Sequence, residues 1–475
     1  MEDSMNGPKI VVIGAGSFFF GRPVIWNMTQ NDILRNGTLA LVDTDRKVLD
    51  TMMALGKRTI EATGAPTQLI GSTDRREVLR DADFVVLTFS HHNAYYRGLD
   101  CEIALKHGIR MCSGDTIGPG GIFRAVREVP KALEMARDVA ELAPHAWLIN
   151  FVNPTSVLGI ALMRYAPEVR SFAICDGLHE PYYRLNCLKY VGLLPDDAKE
   201  IPPQMRKTLD IRVHGVNHFT FLTHFFLDGK DLLPKWREVL AEKAKTEQTT
   251  TDAQLADNLT PNDSNAAAKS RFNHTYSLKL MDLFQAFPNR ISHTKEYVPY
   301  FQGYGAADTA PTPITIFNAE IRNQIMTERW QETERYARGE QSIDGFISGG
   351  TGDHATDIIA SMWGGLGRSF YVNTPNRGAV PNMNDDAYLE LLSSIDMDGP
   401  VPHPIGNMPT GLLGLQQQVL DTHELTAKAA AECDRQALLA AMAVDPIVNN
   451  LADAENIIAE TLDRQREGLA EGWTS

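Results

Sequence analysis

The chain has 475 residues, with 60 acidic side chains against 45 lysines and arginines, for a formal net charge of −15. That sign argues against a nucleic-acid protein, which needs a positive face to displace counterions from phosphates. Hydrophobic residues at 43% and charged residues at 22% describe a folded globular chain of two or three domains, long enough to need no disulfide staples.

KIVVIGAG (9–16) is an apolar, β-branched run that ends in glycines, the pattern of a strand buried on both faces of a parallel sheet. Residues 23–34 have helical spacing, LALVD (39–43) is a second strand ending on Asp43, and 45–63 is helical again. Buried strands follow at 81–90, 145–154 and 170–176, with a long helix near 121–142. This alternation predicts an α/β fold, with a Rossmann-like doubly wound sheet in residues 1–195. Residues 196–475 are predicted as a mixed α+β domain that packs on the first and closes a site. It has strands in 209–232 with a hairpin turn at Asp228-Gly229 and helices at 235–247 and 265–287, separated by a polar loop at 248–264. A loop at 303–313 and helical stretches at 314–340 and 410–468 complete it. The five cysteines form no CxxC pair, no apolar leader opens the chain, and no apolar run nears the roughly 18 residues that span a bilayer. The expectation is a cytoplasmic protein with no membrane partner.

Three segments carry chemistry. Gly14, Gly16 and Ser17 follow a buried strand and open a helix, where glycines let the backbone approach a pyrophosphate. The third glycine of GxGxxG is missing, because Phe19 takes its place. Asp43 stands where a carboxylate binds ribose hydroxyls, which favours NAD over NADP. Cys175-Asp176 ends one strand, and His218 ends a segment some 40 residues on. A thiolate and an imidazole can share a divalent ion, but each is equally a core residue in its own right. Finally, the turn Gly114–Gly121 carries Asp115 and starts a helix with Arg124 and Arg127 inside it; it reads either as part of a site or as a helix cap. Asn153, after another strand, poses the same choice. Ligands of open α/β sheets bind at the carboxyl ends of strands, where several of these segments meet.

GAGS…LVD, RGLDCEIALKHGI running into GDTIGPGGIFRAVREVP, NFVNPT, CD, GVNHF and SHTKEYVPYF together resemble glycoside hydrolase family 4 over residues 9–301. The nearest branch is that of α-galactosidases, α-glucosidases and α-uronidases. The resemblance implies a glycosidase with no net redox change: NAD⁺ takes hydride from sugar C3, the ketone acidifies the C2 proton, a base removes it and the aglycone leaves C1. Water then adds and NADH returns the hydride. It further implies that Cys175 and His218 hold Mn²⁺ or another divalent metal and that Asp176 is the general acid. It sets Asn153, Asp115 and Arg124 at the sugar. The C2 base falls within 292–297, with Tyr297 the first choice and His293 the second. Cys175-Asp176-Gly177-Leu178-His179-Glu180 departs from the Cys-His-Glu or Cys-His-Ser signatures of related subgroups, so sugar and anomer stay open. The arginine common in 6-phosphate-binding members is not evident. The expected substrate is therefore a non-phosphorylated hexose or hexuronic acid glycoside, with Arg97, Arg124 and His214 as candidates for a carboxylate. The family implies a homo-oligomer, dimer or tetramer, with the helical C-terminal third available as an interface. Two rivals remain. A lactate/malate-type dehydrogenase would need an Asp–His relay and a carboxylate-clamping arginine, yet no DxxR is followed by a well-spaced histidine. A non-catalytic NAD or sugar-binding protein would bind without turnover.

Overall fold

Strand β1 (Lys9–Ile13) sends Ile10 and Val12 into one hydrophobic core and Val11 and Ile13 into another. β2 (Thr38–Val42) and β4 (Phe84–Leu87) alternate in the same way, the period-2 geometry of strands covered on both faces. Burial of each such side chain contributes roughly 1.5–3 kcal/mol. The structure, a computed structural model, describes residues 7–249, 272–303, 314–348 and 353–473.

With β3 (Gln68–Ser72), β5 (Trp147–Asn150) and β6 (Ser171–Ala173), these strands form a parallel sheet in the order β3-β2-β1-β4-β5-β6. The doubly wound sheet expected from the sequence is present, with the strand order of dinucleotide-binding folds. Beyond residue 368, β11 (Ser369–Pro375), β12 (Tyr388–Asp396) and β13 (Gly399–Pro402) continue the same sheet antiparallel from β6. The sequence reading did not anticipate this meander, because buried Asn373, Glu390 and Ser393 interrupt its apolar alternation. It also passed over β3 and the helix Asn93–Lys106.

A smaller antiparallel sheet pairs β7 (Asp210–Val216), β8 (Phe219–Leu227), β9 (Lys230–Asp231) and β10 (Phe287–Pro288). The Asp228-Gly229 turn lies between β8 and β9, both residues at positive φ. Trp236, Leu240 and Met281 from the flanking helices Leu233–Thr249 and Asn273–Phe284 pack on this sheet. Three helices over Thr410–Arg464 realise the predicted helical C-terminal stretch. The loop at 250–264, the start of the helix predicted from 265 and the loop at 304–313 lie outside the described residues. Among the described residues, no helix is long and apolar enough to cross a membrane.

Candidate active site

The β1–helix turn is tight for local reasons. Gly14 has φ +94°, and a Cβ there would fall 2.5 Å from the Phe89 nitrogen; at Gly16 it would fall 2.3 Å from Val48 Cγ1. The bare loop lets the Gly16 N–H donate to Asp43 Oδ2 at 2.9 Å. Two residues on, Asp45 caps the next helix by accepting from the Lys47 and Val48 N–H groups at 2.8 and 3.3 Å. Gly14, Gly16, Ser17 and Asp43 line one end of a cavity of about 700 Å³. A glycine turn, a helix start and a carboxylate at the adjacent strand end are the donor set that fits a dinucleotide.

The same cavity runs to Asp115, Arg124, Asn153, Asp176, His218 and His293. Asp115, 4% exposed, is its hub. It accepts from Ser113 Oγ at 2.7 Å and from Asn153 Nδ2 at 3.5 Å, while Arg97, Arg124 and His293 each bring a nitrogen to 3.5 Å. Arg322 lines the cavity too. Burial, together with neighbouring guanidiniums, lowers Arg124 to about 10 and Arg322 to about 9. Asp176 faces the cavity with Arg290 Nη2 donating to its Oδ1 at 2.9 Å.

Cys175 Sγ and His218 Nε2 lie 3.1 Å apart at the cavity wall. The imidazole is held from several sides. Its Nδ1 is 3.0 Å from Thr116 Oγ1, its ring stacks on His293 at 4.3 Å, and Thr294 Oγ1 donates to its carbonyl at 3.1 Å. His218 sits at φ +52° in the turn between β7 and β8. Gln416, from the helix Thr410–Glu432, brackets that turn: it accepts from the Val216 N–H at 2.9 Å and donates to the Phe219 carbonyl at 2.6 Å. Burial pushes the Cys175 thiol up to about 12, and a divalent ion would draw the proton off; that sulfur beside an oriented imidazole on the cavity lining is a donor set that fits one such ion with positions left for oxygens.

Asp115, His293 and Glu296 also bring ligand atoms within 4.8 Å of one another. Glu296, however, already accepts from the Cys112, Ser113 and Gly114 N–H groups at 2.8, 2.9 and 3.3 Å. It anchors the Asp115 loop from behind, chiefly through Oε2. Of the two base candidates, His293 lines the cavity and Tyr297 does not. Tyr297 is fully buried, stacked on Phe219 at 5.3 Å, and burial pushes its hydroxyl well above the usual range. His214 lies elsewhere, bonded to Thr223 and the Gly406 carbonyl. Arg127 is paired with buried Asp100 at 2.7 Å. Sequence reasoning missed Arg290, Arg322, Thr116 and Gln416. Thr116 alone had a local signal, inside the glycine-rich turn.

Family 4 glycosyl hydrolase sequences match residues 9–182, and the C-terminal domain of that family matches residues 213–448. The chain belongs to this family. It is a glycoside hydrolase. A Bacillus subtilis protein named "Probable 6-phospho-beta-glucosidase" is 28% identical over 98% of each chain. The Bacillus subtilis alpha-galacturonidase is 27% identical over 96% of each. The fold matches that of a 6-phospho-alpha-glucosidase from gut microorganisms, solved with NAD and Mn²⁺, at a TM-score of 0.74 and 21% identity, covering 98% of this chain and 99% of that one. Family 4 members thus span phosphorylated and uronic sugars, and this chain's own cavity must supply the choice.

Proposed function

We propose that this family 4 enzyme cleaves a hexuronic acid glycoside with the help of NAD and Mn²⁺. One observation carries the substrate choice. Four guanidiniums, Arg97, Arg124, Arg290 and Arg322, line the sugar end of the cavity with two carboxylates, Asp115 and Asp176, while Glu128 and Glu390 act on Arg124 and Arg290 from outside the lining. A cavity surface rich in guanidiniums favours an anionic group on the substrate, because charge-assisted hydrogen bonds to it are strong. A carboxylate on the sugar supplies that charge without the phosphate-binding arginine of the 6-phosphate members.

When bound, NAD supplies a reversible hydride sink for sugar C3, and the divalent ion held by Cys175 and His218 supplies a Lewis acid. Gly14, Gly16, Ser17 and Asp43 seat the cofactor. Asn153 and Asp115 orient the sugar hydroxyls. His293, steadied by Asp115 at Nδ1, takes the C2 proton, and it has the cavity surface that Tyr297 lacks. Asp176 passes a proton to the leaving oxygen. We assign nucleotide binding to residues 1–195, which also bring Asp115, Arg124, Asn153, Cys175 and Asp176 to the sugar, and the remaining substrate and metal contacts, through His218, Arg290, His293 and Arg322, to 196–475 together with the oligomer contacts. The five free thiols favour a cytoplasmic setting, with a homo-oligomer as the assembly.

The test is a panel of nitrophenyl α- and β-hexuronides, neutral hexosides and 6-phosphohexosides with NAD⁺, Mn²⁺ and a thiol reductant. Hexuronides are expected to be cleaved best, without NADH accumulation, and the sugar released in D₂O to carry deuterium at C2. Preference for a phosphorylated hexoside would overturn the substrate choice. Accumulating NADH would indicate the dehydrogenase, and cofactor binding without cleavage a non-catalytic protein.

A further inference from the structure

Behind the wall formed by Phe18, Phe19, Phe20 and Phe151 lies a second cavity of about 460 Å³, with Asp176 lining both. We propose that this second cavity is the leaving-group subsite and takes a neutral monosaccharide ring, so that the scissile oxygen sits at Asp176 between the two cavities. The proposal rests on the reading of Asp176 as the acid that serves the leaving oxygen.

The helix Ala319–Arg338 links the two chambers. Arg322 and Met326 face the first, and Arg329, Glu332 and Tyr336 face the second, at spacings of three, four and seven residues that keep all five on one stripe. The chemistry of the two chambers differs. In the second, Arg22 lies 3.9 Å from Glu332 and Arg329 lies 3.8 Å from it, while its guanidinium-to-ring partner Phe18 is 3.9 Å from Arg22. Arg22 also donates to Thr333 Oγ1 at 2.8 Å. Both arginines stand against Glu332, Asp353 caps the helix His354–Trp363 by accepting from the Thr356 N–H at 3.0 Å, and Asp176 adds a third carboxylate, so the chamber has no excess of positive charge, unlike the arginine-rich sugar end of the first. His179, also in the wall, is matched by Asp357 at 2.9 Å.

A neutral sugar suits this lining. Its C–H faces pack on aromatic rings such as Trp26 and Tyr336, and its hydroxyls donate to Glu332 and accept from Arg329. The volume falls in the range of small-molecule sites, which combine aromatic walls with a few convergent polar groups. An anion would face Glu332 and Asp353, and a purely apolar aglycone would strand the charged groups without water. The glycine turn and Asp43 belong to the first cavity alone, so the second is not an extension of the nucleotide site.

Two readouts test this. The first is the ratio of kcat/KM for a hexuronosyl-hexose disaccharide to that for the hexuronosyl fluoride, whose leaving group has no ring. Glu332→Gln and Trp26→Phe should each lower that ratio roughly tenfold; an unchanged ratio in both would overturn the subsite. The second needs no turnover. Free galactose or glucose should alter the intrinsic fluorescence of the wild-type protein, and Trp26→Phe should remove the change. No change in the wild type, or one that survives Trp26→Phe, would contradict the proposal. A wild-type enzyme that cleaves no glycoside would instead sink the reading of Asp176, while the fluorescence would still decide what the cavity holds.

Discussion

The two ends of the large cavity are built in opposite ways. The nucleotide end comes from one short stretch: Gly14, Gly16, Ser17 and Asp43 directly follow β1 and β2, tied by the Gly16 N–H to Asp43 Oδ2 at 2.9 Å and the Ser17 N–H to the Gly14 carbonyl at 3.0 Å. The sugar end is gathered from residues 97 to 322, and its key imidazole is held by Thr116, Thr294 and, through its turn, Gln416. The first is a local motif that brings its geometry with it. The second exists only when remote elements have docked, so its chemistry is sensitive to changes far from the substrate.

Substitutions can break that contrast. Cys175→Ser should lower turnover about a thousandfold or more, since it removes a metal ligand and several kcal/mol of Lewis-acid stabilisation, while NAD affinity by titration stays within about twofold. A parallel loss of NAD binding would mean the two ends are not separate. Gln416→Leu tests the remote clamp. It leaves the Val216 N–H and Phe219 carbonyl without their partner, costing roughly 1–3 kcal/mol, and should weaken Mn²⁺ about 10- to 100-fold; stability lost without loss of metal affinity would make Gln416 purely structural. Asp43→Ala should raise the NAD dissociation constant roughly tenfold, with turnover at saturating NAD largely kept.

An effect on stability, apart from turnover, concerns the helix that carries Arg124. Asp445 accepts from the Gly118 N–H at its start at 2.8 Å, and burial raises the carboxyl to about 7. A folded value above the unfolded one means the folded protein holds the proton more tightly. The contribution is therefore fully present below pH ~4 and is lost as pH rises through 7, by about 4 kcal/mol at most. Asp445→Asn should flatten this part of the stability–pH curve measured by thermal melts; an identical slope would contradict the shift.

The same contrast explains what was legible in the sequence. β1, its glycines and Asp43 could be read directly, because apolar period, turn chemistry and carboxylate lie within 35 residues. Cys175, Asp176 and His218 were recognisable only as members of a motif series, since their meeting depends on a hairpin 40 residues away. Arg322, Arg290 and Gln416 left no trace: each sits in an ordinary helical or loop pattern, and only docking turns it inward. Glu390 is the sharpest case, a buried carboxylate on β12 that accepts from Asn217 at 3.2 Å and breaks the very alternation that would have revealed its strand.

The central claim is that the glycine turn and the metal-and-sugar end act in one cavity on one substrate through a returned hydride. Enzyme stripped of nicotinamide and assayed with Mn²⁺ on its best glycoside tests this most directly. Cleavage should vanish and return on adding NAD⁺ alone, with no rise in NADH absorbance; undiminished cleavage by the stripped protein would contradict the account.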